Sequence, residues 1–253
     1  MPPPTEDERG SSALSGRRPV IELLRARRPA EKILIADGLA SSANLVEIRR
    51  LAKDASIPVK VVPRAELDRL SEGENHQGVI AITGRYRYAA IETLFGPDAK
   101  VVFLDGVTDP HNLGSLIRSA ECCGFDGLVV PAHRSAGVTP AVRRVAAGAA
   151  EVLPVARVTN LGRGIDQAKE SGLWVVGLDS ETDEDIWTSE LLETPIALVL
   201  GAEGKGLSKH VRERCDGLVR IPQQGRIASL NVAVAGAIAM FEIARRGGSS
   251  ATL

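Results

Sequence analysis

Three short segments of this chain combine glycine and small polar residues at points where an apolar strand gives way to a helix. They occupy positions 104–120, 198–207 and 221–235. Turns of this kind present backbone N–H and C=O groups to a ligand, and functional side chains are concentrated on them. Their spacing predicts a site built largely of main chain, with a few polar side chains that supply the chemistry.

Five polar residues in these segments are candidates for that chemistry. They are Asn112, Arg118, Glu203, Ser229 and Asn231. Taken singly, Asn112 and Ser229 are better explained as helix N-caps, and Arg118 as a solvated helix residue. Their joint occurrence favours a functional role, since each follows a strand of a predicted α/β sheet and ligands bind beyond the carboxyl ends of such strands.

The glycine-rich turn Gly201-Ala202-Glu203-Gly204-Lys205-Gly206 resembles a phosphate-binding loop only in composition. It has neither the G-x-x-x-x-G-K-[ST] spacing of nucleoside triphosphate sites nor the G-x-G-x-x-G spacing of dinucleotide sites. The three cysteines and four histidines form no zinc spacing, and an odd cysteine count argues against a disulfide framework. We therefore expect no metal and reduced thiols.

The pattern of apolar residues predicts two α/β units. In the first, residues 13–83, it indicates helices over 19–27, 42–54 and 64–70 and strands over 33–36, 59–62 and 79–83. Residues 84–90 read as a linker, and 1–12 and 248–253 as disordered tails.

The second unit, residues 91–247, alternates apolar strands with helices. Strands are predicted over 101–105, 128–130, 152–155, 173–178, 196–200 and 218–221, and a long helix over 229–246. Near-continuous apolar strands separated by helices indicate a parallel sheet covered on both faces. The long helix carries Ala233, Ala235, Gly236, Ala237 and Ala239, which suits burial or a subunit interface.

The composition of the chain excludes few further classes of protein. The hydrophobic fraction is 44% and the charged fraction 25%, as in ordinary globular proteins. No run approaches the roughly 20 apolar residues of a membrane helix, and the N-terminus has no apolar signal, so we expect a cytoplasmic protein without membrane contact. A net charge of −1 excludes coating of nucleic acid by overall charge, but it allows a local basic face.

The three ordered segments resemble the signature motifs of the SPOUT class of RNA methyltransferases, specifically the TrmH/RlmB-like ribose 2′-O-methyltransferases. The resemblance covers nearly the whole chain. From Gly16-Arg17-Arg18-Pro19-Val20 to Asn75-His76-Gln77-Gly78-Val79, the first unit is similar to the family's small L30e-like RNA-binding domain. One departure is Ala233, where members often carry serine.

This resemblance implies an α/β catalytic domain whose C-terminal segment forms a deep trefoil knot, an exception to the rule against knots. It implies a homodimer with active sites at the interface and S-adenosyl-L-methionine as the methyl donor. By position, Gly201, Ile221 and Leu230 match the residues that hold the donor. Asn112, Arg118, Glu203, Ser229 and Asn231 match the polar catalytic set.

A positive face for RNA is expected on the first unit. Residues 13–83 hold 12 Lys or Arg against 9 Asp or Glu, a net charge of +3. We expect RNA contacts from Arg17, Arg18 and Arg25, extended by Arg143 and Arg144. The linker Arg85-Tyr86-Arg87-Tyr88 pairs cations with rings that stack on bases. Charge runs of this kind are otherwise solvated helix faces.

The chemistry needs an aligned ribose hydroxyl and an outlet for its proton. Arg118 is better suited to binding a phosphate than to acting as a base, because guanidinium carries only hydrogen-bond donors and does not release its proton in proteins. Glu203 would hold Arg118 in place or accept the proton. The expected substrate is guanosine in large-subunit (23S) ribosomal RNA.

Four other activities compete with this interpretation. Within the family they are a transfer-RNA ribose methyltransferase and an antibiotic-resistance methylase that acts on ribosomal-RNA adenosine. From other classes they are a non-catalytic RNA-binding assembly factor and an NAD dehydrogenase with an atypical loop. The last is disfavoured, since no glycine fingerprint follows an early strand.

Overall fold

A computed structural model describes residues 12–71, 73, 75–226 and 229–247. The chain divides into two compact units. The first unit contains the residues up to Arg87 together with Val138–Val152, and the second contains Tyr88–Gly137 together with the residues from Leu153 onward. The predicted tail 248–253 and most of the tail 1–12 lie outside the described residues.

The helices and strands follow one another along the chain, with short 3₁₀ turns at Ile91–Leu94 and Glu190–Leu192. In order they are β1 (Ser12–Ser15), α1 (Arg17–Arg25), β2 (Lys32–Ala36), α2 (Ala43–Asp54), β3 (Val59–Val62), α3 (Arg64–Leu70), β4 (Val79–Thr83), β5 (Lys100–Asp105), α4 (Pro110–Cys122), β6 (Gly127–Pro131), α5 (Pro140–Val145), α6 (Ala149–Val152), β7 (Val155–Val158), α7 (Leu161–Glu170), β8 (Trp174–Leu178), β9 (Ile196–Gly201), α8 (Lys209–Arg212), β10 (Gly217–Val219) and α9 (Val232–Gly247).

The first unit is a four-stranded sheet in the order β1-β4-β2-β3. β4 pairs antiparallel with both β1 and β2, whereas β2 and β3 are parallel. The alternating side chains of β2 and β4 serve two apolar clusters, one on each face of the sheet. Helices α1 and α2 cover the first face, where Val20, Leu23 and Ile48 are fully buried.

The second unit is a six-stranded sheet in the order β10-β8-β9-β5-β6-β7, and every pair in it is parallel. The predicted parallel sheet is therefore confirmed. Its central strands are fully buried: Val101, Phe103, Ala197 and Val199 have no exposed surface. Such strands need helices on both faces, which explains their near-continuous apolar sequence.

Several predicted boundaries differ from the structure. The strand predicted over 152–155 is wrong, because α6 ends at Val152 and β7 begins only at Val155. Pro154 separates them, since a proline biases its predecessor to extended backbone and donates no ladder hydrogen bond. The first helix begins at Arg17 rather than at Pro19, and Ser12, assigned to the tail, begins β1. The strand β1 was not predicted.

The assignment of residues 91–247 to a single domain stays a prediction, but Val138–Val152 groups with the first unit in the structure. Within that unit α5 lies against β1 and α6 against α1. The close approach is visible at Gly148, where an added Cβ would lie 2.6 Å from Glu22 Cγ.

Candidate functional site

The three motif segments, 104–120, 198–207 and 221–235, converge at one edge of the parallel sheet. β5 and β9 are neighbours in register, with Asp105 opposite Gly201 at their carboxyl ends. Helix α4 begins shortly after β5, the glycine-rich turn follows β9, and α9 packs against both α4 and β9. The carboxyl ends of parallel strands meet at the same edge, and the convergence is a consequence of that geometry.

Asn112, Glu203 and Asn231 form a closed hydrogen-bonded ring at this edge. Asn112 Nδ2 donates to Glu203 Oε1 at 2.8 Å, and Asn231 Nδ2 donates to the same oxygen at 2.6 Å. Asn231 Nδ2 also donates to Asn112 Oδ1 at 3.0 Å. Asn112 is 7% exposed, whereas Glu203 is exposed. We name these three residues the Asn–Glu–Asn ring.

The orientation of Asn231 is fixed by the start of α9. Its Oδ1 accepts from the backbone N–H groups of Ala233 at 2.9 Å and Val234 at 3.2 Å. Because those donors require the oxygen, the amide nitrogen must point to Glu203. Asn231 is thus the N-cap of α9, whereas the sequence had suggested Ser229 as an N-cap. Likewise Asp109, not Asn112, caps α4, by accepting from His111 N at 3.0 Å.

A cavity of about 440 Å³ opens beside the ring. Glu203 and Ser229 line it, as do all three residues predicted to bind the donor, Gly201, Ile221 and Leu230. Its apolar part comes mainly from leucine and isoleucine side chains, and the glycine-rich turn contributes backbone. The structure thus places the residues predicted to hold the donor and a predicted catalytic carboxylate on the wall of one cavity.

Gly201 has a steric reason to be glycine. An added Cβ would lie 2.1 Å from the carbonyl carbon of Gly206 and 2.4 Å from the nitrogen of Leu207. Both are backbone atoms, which cannot rotate out of the way. The turn closes on itself through Ala202, whose N–H donates to Gly206 O at 3.0 Å. A cavity wall of main chain depends on this close approach.

Two acidic residues on the cavity wall were missed by the sequence analysis. Asp179 and Glu181 follow β8, and both pair with Arg212, at 3.3 Å and 2.9 Å. All three line the cavity. Their position just beyond a predicted strand was the available signal, but none lies in the three motif segments.

Arg118 is not part of the Asn–Glu–Asn ring. It lies on α4, is exposed, and makes no hydrogen bond or ion pair with any residue that the structure describes. The expectation that Glu203 holds Arg118 in place is not met, because the Glu203 contacts are with the two asparagines. A guanidinium with no partner in the described part of the chain is available to a ligand or a second chain.

Helix α9 is held by close packing near its middle and by ion pairs near its end. Gly236 packs so closely that an added Cβ would lie 2.5 Å from Leu116 Cδ2 and 2.6 Å from Leu200 Cδ1. Glu242, 5% exposed, accepts from Arg245 and Arg246. Hydrogen bonds from Arg245, opposed by burial and reinforced by Arg246, lower the pKa of Glu242 to about 2.

The arginines predicted to bind RNA have different surroundings in the first unit. Arg18 is exposed. Arg17 donates to Gln77 O at 3.0 Å and Ser42 Oγ at 3.3 Å, and Arg25 pairs with Glu22 and Glu47. Arg144 is partly buried, which lowers its pKa.

Arg143 is buried and is not a surface residue, contrary to expectation. It is 4% exposed, and its Nε donates to Glu151 Oε1 at 2.7 Å while Nη1 donates to Thr83 Oγ1 at 3.0 Å. The carboxylate partner offsets part of the cost of removing this guanidinium from water. The pair forms one wall of a cavity of about 590 Å³, which Arg28, Arg85 and Arg87 also line. The sequence could not distinguish this arginine from the less buried Arg144 beside it.

The described residues offer neither a membrane span nor a metal centre. No described helix combines the length and apolar character needed to cross a membrane. No group of three or more His, Cys, Asp or Glu side chains in the described part of the chain could hold a metal ion. Cys122, Cys123 and Cys215 are free thiols.

Comparison with known proteins identifies the family. Residues 99–241 match the SpoU rRNA Methylase family, and residues 13–89 match the RNA 2′-O ribose methyltransferase substrate binding domain. A Bacillus subtilis protein described as a TrmH family tRNA/rRNA methyltransferase, YacO, is 39% identical over 237 residues, 91% of this chain and 94% of that protein.

Solved structures show the same likeness. The SpoU methyltransferase AviRb from Streptomyces viridochromogenes, in complex with AdoMet, superposes with a TM-score of 0.80 at 28% identity, over 94% of this chain and 90% of that one. An AdoMet-bound rRNA methyltransferase from Sinorhizobium meliloti gives a TM-score of 0.80 at 26% identity, over 93% and 87%. The chain therefore belongs to the SpoU/TrmH family of RNA methyltransferases.

Proposed function

We propose that this protein transfers a methyl group from S-adenosyl-L-methionine to a ribose 2′-hydroxyl of RNA, with guanosine of 23S ribosomal RNA as the substrate. The observation that carries the proposal is the Asn–Glu–Asn ring, whose Glu203 lines the cavity. It holds a carboxylate in one orientation beside a space lined by backbone. Membership of the family and the AdoMet complexes of two related structures support the choice of donor.

The cavity suits that donor on its own physical features. Leu178, Leu200 and Ile221 provide an apolar surface for a purine ring, and the glycine-rich turn brings main-chain groups close to it. Glu203 faces the same space and carries the negative charge that favours a cationic sulfonium and amine. Bound there, S-adenosyl-L-methionine would supply an activated methyl group on a positively charged sulfur.

The side chains of the ring would prepare the hydroxyl for attack. Both hydrogen bonds to Glu203 end on Oε1, so Oε2 has no partner among the described residues and is open to accept a ribose proton. Asn112 and Asn231 would hold the carboxylate still. Arg118 would grip the phosphate beside the target ribose, because its planar fork fits two phosphate oxygens.

We also propose a homodimer with the knotted C-terminal topology of the resemblance. Support comes from large apolar side chains that are exposed on α9 and just before it: Leu230 at 40%, Val234 at 49% and Phe241 at 56%. Val234 and Phe241 lie seven residues apart on α9, which places them on one side of the helix, and Leu230 precedes its N-cap. A second copy of the chain packed on these side chains would remove them from water and bring Arg118 towards an active site.

The proposal is tested by Glu203→Gln, which keeps an oxygen for both asparagines and removes the proton acceptor. We expect the rate of methyl transfer from labelled donor into ribosomal RNA to fall about 100-fold or more. Donor affinity measured by calorimetry should fall only severalfold, because Glu203 is exposed and solvent screens its charge. Glu213→Gln on the exposed surface is the matched control. A near wild-type rate for Glu203→Gln would contradict the assigned role.

The substrate is tested by mapping ribose methylation across ribosomal and transfer RNA in a deletion strain. Loss of one 2′-O-methylguanosine in 23S RNA supports the proposal. Loss of a transfer-RNA methyl group or of an adenosine methyl group assigns one of the alternative substrates. A protein that binds RNA but not S-adenosyl-L-methionine would be the non-catalytic assembly factor.

A further inference from the structure

A second cavity, in the first unit, is formed by the two segments of that unit that carry the family resemblance. Its volume is about 510 Å³. One wall comes from the segment around Gly16 and the other from the loop of Asn75 and Gln77, with Asn44 and Arg144 between them. No aspartate or glutamate occurs among its described lining residues, whose polar groups are amides, guanidinium groups and a hydroxyl. Such a lining is suited to an anion.

The N-terminus of α1 opens into this cavity. The helix has nine residues, its N-cap is Gly16, and no side chain caps it. Among the described residues, the backbone N–H groups of Arg17 and Arg18 have no acceptor. Uncapped N–H groups at a helix start attract negative charge, and the helix dipole adds to that attraction. Gly16 holds φ at 108°, a conformation that disfavours a side chain.

Ser15 supplies an independent indication of a ligand. It lines the cavity and is only 3% exposed, and its hydroxyl has no hydrogen-bond partner within the described part of the chain. A buried hydroxyl that makes no hydrogen bond costs stability. A bound anion that accepts from this hydroxyl would remove that cost.

The cavity walls are held in place before any ligand arrives. The 2% exposed ring of His76 accepts from Gly78 N at 3.0 Å through Nδ1, and its Nε2 lies 2.8 Å from Asp68 Oδ1. Arg17 ties α1 to the same loop through Gln77 O at 3.0 Å. Arg17 is therefore a positioning residue, and Arg18 is the cation left to meet a ligand. A preorganised site loses less entropy on binding.

We propose that this cavity binds a backbone phosphate of the RNA substrate, with Arg18, Ser15 and the first N–H groups of α1 as donors. The inference rests on the proposed function, since it takes RNA as the source of the phosphate. An internal phosphodiester fits better than a free ion, because the cavity is much larger than one phosphate group and extends to the amides of Asn44 and Asn75.

Arg18→Ala tests the ionic contact in the full-length protein. We expect its dissociation constant for the RNA substrate, measured by fluorescence anisotropy in about 0.1 M salt, to rise about fivefold to tenfold. The slope of log affinity against log salt should fall by about 0.7 to 0.9, as for one lost phosphate contact. Arg49→Ala removes the same charge from an exposed site on α2 outside the cavity and is the matched control.

Ser15→Ala tests the neutral contact. Since the hydroxyl has no partner among the described residues, its removal should leave the melting temperature unchanged or raise it. RNA affinity should still fall, by about threefold to tenfold, with an unchanged salt slope. A hydroxyl with a purely structural role would instead show a lower melting temperature and unaltered RNA binding.

The outcomes separate this inference from the proposed function. One outcome refutes the phosphate site and leaves the enzyme assignment standing. In that outcome the wild type binds and methylates RNA, the RNA affinity of Arg18→Ala equals that of Arg49→Ala, and the RNA affinity of Ser15→Ala equals that of the wild type. If Glu203→Gln methylates normally while both cavity variants lose RNA affinity, the assigned catalytic role fails and the phosphate site stands.

Discussion

Replacing Asn231 by aspartate perturbs the Asn–Glu–Asn ring with almost no change of shape. Aspartate caps a helix as well as asparagine does, so the bonds from Ala233 and Val234 survive. The atom that faces Glu203 Oε1 at 2.6 Å changes from a donor to a second acceptor. Both hydrogen bonds of that nitrogen, to Glu203 Oε1 and to Asn112 Oδ1, are lost, and two negative charges lie side by side.

The size of the effect follows from that geometry. A hydrogen bond to a charged group contributes about 1.5–3 kcal/mol. Two like charges about 4 Å apart add about 1–4 kcal/mol, and the lower end applies because Glu203 is exposed. A negative charge at the start of α9 returns up to about 1 kcal/mol. We expect Asn231→Asp to lower the free energy of unfolding by about 2–3 kcal/mol and the melting temperature by about 5–10 °C.

The assay is thermal and urea unfolding of three variants: Asn231→Asp, Glu203→Gln and the double variant. In the double variant the amide nitrogen of the introduced glutamine donates to the introduced aspartate, so the bond is rebuilt with donor and acceptor exchanged. Its stability should return to within about 1 kcal/mol of the wild type. It should remain inactive, because the charge has left Glu203. A double variant no more stable than Asn231→Asp would refute the ring as the source of the effect.

Three further predictions concern close packing and buried charge. Gly201→Ala should lower the free energy of unfolding by at least about 3 kcal/mol and abolish donor binding, because its Cβ would meet backbone at 2.1 Å. At Gly204 an added Cβ meets no atom within 4 Å, so Gly204→Ala should cost only about 1 kcal/mol. Glu242→Gln should lower the free energy of unfolding by on the order of 1–2 kcal/mol at neutral pH. The pKa of Glu242 in the folded protein, about 2, is below its ordinary value, so the wild type loses this stabilisation as the carboxylate is protonated. In urea unfolding, the difference between wild type and variant should therefore shrink as pH falls below about 4.5 and vanish near pH 2. Glu151→Gln should lower the free energy of unfolding by about 3–5 kcal/mol, because it leaves a buried guanidinium without its carboxylate. Asp54→Asn, in a surface pair about 60% exposed, should lower it by less than about 1 kcal/mol. Equal losses for the two variants in calorimetry would contradict the burial argument.

The parallel sheet was predictable because each strand is a local apolar pattern, and the meeting of Asn112, Glu203 and Asn231 follows from the common edge at which parallel strands end. Each strand is a short apolar run, and parallel strands end at the same edge whatever the details of packing. The residue that caps each helix was harder to predict from the sequence. Ser229 and Asn231 are both good N-caps by residue type, and only the observed start of α9 at Val232, directly after Asn231, decides between them.

The surroundings of the arginines were not predictable from sequence. Arg143 and its neighbour Arg144 have the same residue type and the same local context, yet Arg143 is buried against a carboxylate eight residues ahead and a threonine sixty residues back. Burial of this kind is a property of tertiary packing. Ser15 shows the same limit, since only the placed neighbours reveal that its hydroxyl lacks a partner in the described part of the chain.

The contacts of Asn231 have a consequence for how the protein is made. The ring draws one residue from each of three widely separated parts of the chain, and the last to be synthesised also starts the final helix. While Asn231 is still inside the ribosomal tunnel, Glu203 lacks the hydrogen bond from Asn231, and the part of the cavity wall contributed by Ser229 and Leu230 is not in place. The ring can therefore close only after the start of α9 has been made, and a chain that ends before Asn231 would leave Glu203 without one of its two donors.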